Sequence, residues 1–242
     1  MSTVSTAAVA GHAETPEHGA VRTAAQRAAV AAPGVRSAGG PAVDAALRTM
    51  ASALRDRTAD LLAANAADVE AAERGGMTGG LLDRLRLTPE RLADMAVQLE
   101  VLADTPEPPL QRFVRTLSTG ERVFERRVPV GVIGAVFEAR PNVTIDVASQ
   151  VLKARSAAVL RTGAAALGSA TALVELVIAP SLRENGVPAE AVQLVPTPGH
   201  AGADALVGLP ETGINVDHTP GPRGPVTYVD LSLRQFVVLP AE

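Results

Sequence analysis

"GVIGAVFEARPNVTIDVASQ", residues 131–150, decides how this chain is read. Its apolar run climbs to Phe137 and is apolar on both faces, as a strand buried inside a parallel sheet must be. It breaks at Glu138-Ala139-Arg140-Pro141-Asn142, and apolar spacing then resumes with a helical period, predicting a helix over 143–154. Gly131 and Gly134 sit within the strand, where a missing side chain lets another backbone approach, and do not form a phosphate loop. Downstream, "AAVLR" (157–161) predicts a second strand. A long helix follows, with Leu167, Thr171, Val174, Ile178 and Leu182 on one side, stopped by Asn185-Gly186 and Pro188. "AVQLV" (191–195) reads as a third strand and "HAGADALVGL" as a third helix. Strands and helices alternating at this length define right-handed βαβ units. The fold class is α/β, a Rossmann-like parallel sheet over 129–215.

Upstream the chain changes character. Residues 1–20 read as a disordered tail without the basic start and apolar core of a signal peptide. Over 21–110 the pattern is helical. A short Ala-rich helix at 21–32 is expected to end near Pro33-Gly34. A long helix or helix pair then carries Val43, Leu47, Met50, Leu54 and Leu61 on one face, with Pro41 in its first turn and Gly75-Gly76 as a stop. Thr88 is set to cap a further helix that turns Leu92, Met95, Leu99 and Leu102 inward. Residues 111–128 hold two short β-like runs around Thr119-Gly120, a hairpin. At the far end "VTYVDLSLRQFVVLP" alternates cleanly, giving a half-buried strand within 226–242. Four of the five aromatic residues, Phe113, Phe124, Tyr228 and Phe236, fall in the hairpin or this last strand. Such residues pair across strands, so hairpin and terminal strand are expected to form one small antiparallel sheet. Residues 211–225 read as either a further strand or a connection to it, with 216–225 taken as the bridge.

The formal charge of −4, from 22 basic and 26 acidic residues, argues against nucleic-acid binding, as do only four Phe and one Tyr. No run of eighteen uninterrupted apolar residues predicts a membrane span, so the expected setting is cytoplasmic, without membrane or nucleic-acid partners. There is no cysteine, which excludes disulfides, thiolate metal sites and a thiol nucleophile within this sequence. His200 and His218, near Asp204 and Asp217, match no metal-ligand spacing. Asn142 is placed to cap the following helix. Glu138 and Arg140 beside it are placed to form an ion pair holding the turn.

The stretches "LLAANAADVEAAERGGM", "LLDRLRLTPERL", "ERRVPVGVIGAVFEARPNVTIDVASQVLK" and "LRTG" together resemble γ-glutamyl phosphate reductase, also called glutamate-5-semialdehyde dehydrogenase, over about residues 20–210. That family lies in the aldehyde dehydrogenase superfamily. The resemblance implies an NADP(H)-binding Rossmann-like domain, an oligomerisation hairpin at 111–128 joined by the last strand, and a catalytic domain with an essential cysteine. It makes Asn142 the oxyanion donor, with Glu138 and Arg140 around it. It makes Arg161, with Thr162 and Gly163, the segment along the adenosine ribose and its phosphate.

This sequence departs from the pattern in three respects. The family's Gly-Asn pair is Arg155-Ser156, most of the catalytic domain has no counterpart, and the cysteine is missing. These departures imply a scaffold that is no competent reductase by itself. One expectation is a repurposed non-redox enzyme of isomerase, cyclase or cycloaddition type, or a small-molecule binder needing no cofactor, working as a homodimer. Another is an NADP(H)-dependent reductase completed by a second chain. A third is an oligomerisation or regulatory subunit.

Overall fold

The computed structural model describes residues 16–197, with 205–206, 214–217, 220–221 and 224–225. Helix α1, Pro16–Asp56, runs as two arms that meet at Gly39, whose φ of 78° and ψ of 173° leave the helical region. The expected stop at Pro33-Gly34 is not there. Pro33 faces solvent, so the carbonyl its ring deprives of a donor can bond water instead. Gly34 serves packing: a Cβ on it would lie 2.5 Å from Cγ of Pro188, in the connection leading to the sheet. The first arm buries Val21, Ala24, Ala25, Ala28, Ala31, Ala32 and Val35, and the second buries Val43, Leu47, Met50 and Leu54. These stripes pack on the sheet and on the helices around it.

Helix α2 spans Thr58–Arg74, α3 Gly79–Leu85 and α4 Pro89–Asp104. Thr88 caps α4, its Oγ1 accepting from the Arg91 amide at 3.2 Å, and Leu92, Met95 and Leu99 are buried as the spacing predicts. The hairpin is β1, Gln111–Thr116, and β2, Arg122–Arg126, antiparallel with Phe113 opposite Phe124. The two rings meet edge to face at 5.6 Å, and the Arg122 guanidinium lies 4.9 and 5.1 Å from their centroids. Every residue of β1 is exposed, so the hairpin stands clear of the core. The terminal strand expected beside it lies outside the described residues.

The main sheet is built from β3 (Val132–Val136), β4 (Ala157–Arg161), β5 (Val192–Leu194) and β6 (Ile214–Asp217). All neighbours are parallel, in the order β5-β4-β3-β6. Of the two alternatives over 211–225, residues 214–217 take the strand, which moves the start of the expected 216–225 bridge beyond Asp217. A strand apolar on both faces needs hydrogen-bonding partners on both edges, and β6 supplies the second edge of β3. Beyond it, Pro220–Gly221 pairs antiparallel with Gly224–Pro225.

Helix α5, Pro141–Lys153, connects β3 to β4. From β4 to β5 the chain runs through a 3₁₀ turn at Ala164–Ala166, α6 (Leu167–Leu173), a π-helical turn at Val174–Ile178 and α7 (Ala179–Glu184). The expected stripe there is only half right. Leu167, Thr171 and Val174 are half-buried, while Ala166, Ala170, Leu173 and Val177 are buried. The wide π turn shifts the phase, and Ile178 and Leu182 then join the core. By length and mean hydropathy alone, Ala164–Glu184 could cross a membrane. Here it packs against α2, α5 and α1. The third helix expected at 200–209 lies largely outside the described residues, with Ala205 and Leu206 helical and buried.

Candidate functional site

In chain order the strands lie 3-2-1-4 across the sheet, so the direction of winding reverses between β3 and β6. Crevices beyond the carboxyl ends of the strands at such a reversal are where open α/β sheets bind ligands. The carboxyl end of β3 is the turn at Phe137–Pro141. Its geometry is fixed from the neighbouring strand. The Phe137 amide donates to the Arg161 carbonyl at 3.0 Å, and Thr162 Oγ1 donates to the Glu138 carbonyl at 3.4 Å. Gly163 has an ordinary φ but no room for a side chain, since a Cβ would lie 2.9 Å from the Ala139 amide nitrogen. Within the turn the Arg140 amide donates to the Glu138 carbonyl at 2.7 Å, and the Arg140 guanidinium reaches the Glu138 carboxylate at 3.3 Å. The expected ion pair is therefore present, with Arg84 3.9 Å from the same carboxylate oxygen.

Asn142 does not cap α5. Pro141 opens the helix and Arg140 holds the cap position without a side-chain bond, which places Asn142 inside the first turn. Its Nδ2 donates instead to Asp146 Oδ2, one turn on, at 3.2 Å. Asp146 is half-buried. Desolvation pushes its carboxyl above the usual carboxylate range, with the Asn142 hydrogen bond opposing. Both side chains, with Arg140, line a cleft of about 350 Å³ whose other wall comes from α3, α4 and their connector: Asp83, Arg84, Arg86, Leu87, Arg91, Asp94, Met95 and Gln98.

That second wall is rigid for a traceable reason. Asn65, buried on α2, donates through Nδ2 to the Leu85 carbonyl at 2.9 Å and to Ser169 Oγ at 3.0 Å. Its Oδ1 accepts from the Leu87 amide at 2.7 Å. Asp68 accepts from the Ser169 amide and hydroxyl, both at 2.6 Å, and so holds the start of α6. Two residues of α2 thus fix both the cleft wall and the helix that follows Arg161–Gly163.

The structure brings Asn142, Glu138 and Arg140 together at the end of β3, with Arg161 ending the neighbouring strand β4 and Thr162 and Gly163 just after it. Arg161 is buried, 6% exposed, and Thr162 is 2% exposed, so neither projects openly from the sheet edge. None of Arg161, Thr162 and Gly163 lines the cleft. Asp146 and the α3–α4 wall are additions. The Asp146 position was legible as the i+4 neighbour of Asn142 on one helix face. Dense charge in "LLDRLRLTPERL" was the only trace of the wall.

A parallel sheet with this winding and a cleft at the carboxyl end of β3 define a Rossmann-like α/β fold with its ligand crevice at the reversal. Residues 3–214 match the aldehyde dehydrogenase family, and the chain belongs to that family. Within it, the chain resembles γ-glutamyl phosphate reductases. It is 45% identical over 169 residues to that of Roseiflexus castenholzii, covering 69% of this chain and 40% of that one. To that of Kineococcus radiotolerans it is 43% identical over 190 residues, covering 78% and 44%. The crystal structure of γ-glutamyl phosphate reductase from Thermotoga maritima superposes with a TM-score of 0.77 at 28% identity, over 82% of this chain and 48% of that one. The chain spans less than half the length of each of these relatives.

Proposed function

We propose that this chain supplies the NADP(H)-binding half and the oxyanion donor of a γ-glutamyl phosphate reductase, and that the nucleophilic thiol comes from outside these residues. The observation that carries this is the placement of Asn142. It stands at the carboxyl end of β3, beside the reversal of the sheet, with its amide lining the cleft. Strand order fits a dinucleotide at the sheet edge, and the family resemblance assigns it to the Arg161–Thr162–Gly163 segment, whose buried Arg161 and Thr162 side chains leave the backbone at that edge to meet it. When bound, the nicotinamide supplies the hydride.

The chain's own part is electrostatic. A donor fixed at Asn142 stabilises the carbonyl oxygen as it becomes an oxyanion, by about 3–4 kcal/mol of barrier. Asp146 holds the amide plane by accepting one N–H and leaves the other for that oxygen. The sequence contains no cysteine, and a hydroxyl without an adjacent base is a weak replacement. The hairpin, with its exposed Phe113–Phe124–Arg122 cluster, is the surface we assign to oligomerisation.

Complementation tests the reading. The chain is mixed with a cysteine-containing catalytic segment of a γ-glutamyl phosphate reductase, and NADP⁺-dependent oxidation of glutamate-5-semialdehyde in phosphate is followed. Activity that needs both chains and is lost with Asn142→Ala is expected. The absence of cysteine also favours a second reading, a repurposed non-redox enzyme or binder. That reading gains if the folded chain fails to bind NADPH and gives no activity with any catalytic segment.

A further inference from the structure

The cleft beside Asn142 carries an imbalance of charge that the proposed reaction leaves unused. Both terminal nitrogens of Arg91 are engaged: Nη2 donates to both carboxylate oxygens of Asp83 at 3.0 Å, and Nη1 to the carbonyls of Asp83 and Arg86 at 2.5 and 2.6 Å. Arg86 pairs with Glu73 at 3.2 Å. Arg84 and Arg140 share a single carboxylate oxygen of Glu138. Asp83 is thus committed, while the other two lining carboxylates, Asp94 and Asp146, have no cationic partner among the described residues.

The two differ in setting. Asp94 is exposed on α4, with Gln98 one turn further along. Asp146 is half-buried, and its Oδ2 takes the Asn142 amide while Oδ1 has no hydrogen bond among the described residues. A carboxylate partly withdrawn from water, with acceptor capacity to spare, is best compensated by a cation. No group of three His, Cys, Asp or Glu side chains suited to a metal ion occurs among the described residues. An ammonium group needs fewer ligands than a metal ion, and a carboxylate with a free oxygen can receive one N–H of it.

We infer that Asp146 is the specificity-determining residue of this cleft, receiving the ammonium group of an amino-acid-derived ligand, while Arg84 and Arg140 receive its carboxylate. This rests on the reductase reading above, and it adds a recognition role to residues outside the nucleotide segment and the thiol chemistry. Two arginines sharing one carboxylate have donors left for a second anion. The cleft is therefore polarised, basic at the β3 turn and acidic one turn along α5.

The test compares L-glutamate with glutarate, which has the same two carboxylates and carbon chain but no ammonium. Both are titrated calorimetrically into the full chain and its Asp146→Asn variant. The wild type is expected to favour L-glutamate by about tenfold or more, as a hydrogen bond to a charged group would. Asp146→Asn should lose that preference while binding glutarate as before. Asparagine can still accept the Asn142 amide, so the fold is preserved, and a single cooperative melting transition confirms it. Equal binding of both compounds by the wild type, or equal weakening of both in the variant, overturns the inference. If neither compound binds but NADPH does, the ammonium site falls and the nucleotide half of the reading stands. If NADPH fails as well, the reading itself falls.

Discussion

Asn65→Ala is the change whose cost the structure specifies most completely. Asn65 is 2% exposed, and its side chain is the partner of the Leu85 carbonyl and the Leu87 amide. Leu85 is fully buried and Leu87 7% exposed, so both backbone groups have little access to bulk water. Ser169 Oγ retains Asp68 and is not orphaned. Two backbone groups lose their partners, at about 1–3 kcal/mol each. A water entering the vacated space would return part of that, so a net loss of about 2–4 kcal/mol is expected. Urea denaturation with an unchanged m-value measures it. Asn65→Leu should lose a similar amount despite filling the space, since it too leaves both groups unpaired. A loss under about 1 kcal/mol in both variants would refute the network as the support of the cleft wall.

Three further outcomes follow from single positions. Gly163→Ala places a methyl 2.9 Å from the Ala139 nitrogen, so it should cost about 1–3 kcal/mol and displace the turn that carries Asn142, measurable as lowered stability together with weaker ligand binding. Arg155 has a φ of 56°, where glycine is favoured, and its guanidinium pairs with Glu107. Arg155→Ala keeps the strain and loses the pair, whereas Arg155→Gly loses the pair but also relieves the strain, so the glycine variant should be the more stable of the two by about 1 kcal/mol in denaturant titrations. Asp146 has its folded pKa raised by burial, so the native state holds that proton more tightly than the unfolded chain does. Its contribution favours the fold at low pH and is lost as pH rises through the raised value. Asp146→Asn should therefore gain on the wild type in melting temperature as pH increases across that interval, and a constant difference would count against it.

Local signals made most elements legible. The strand at 157–161, the Thr88 cap and the Phe113–Phe124 pairing each rest on period, a capping hydroxyl or aromatic placement. What escaped was decided elsewhere in the chain. Gly34 looks like a helix stop, yet its reason is Pro188, far away in sequence. Residues 214–217 lie among glycines and prolines and read as strand or connection. Their strand character comes from the open edge of β3, which no local window contains. The π turn at Val174–Ile178 slid the apolar stripe by one residue. Arg155 illustrates both sides: the loss of a glycine was visible, and its compensation by Glu107 required the fold. At the site, the turn and its asparagine were readable as a motif, but the α3–α4 wall meets it only through tertiary packing.

The claim that this chain is the cofactor-binding half of a reductase is tested most directly by titrating NADPH into the purified protein. Micromolar binding, weakened by Gly163→Ala in a variant that still melts cooperatively, is the predicted result. A folded, cooperatively melting wild-type chain that takes up no NADPH would contradict it.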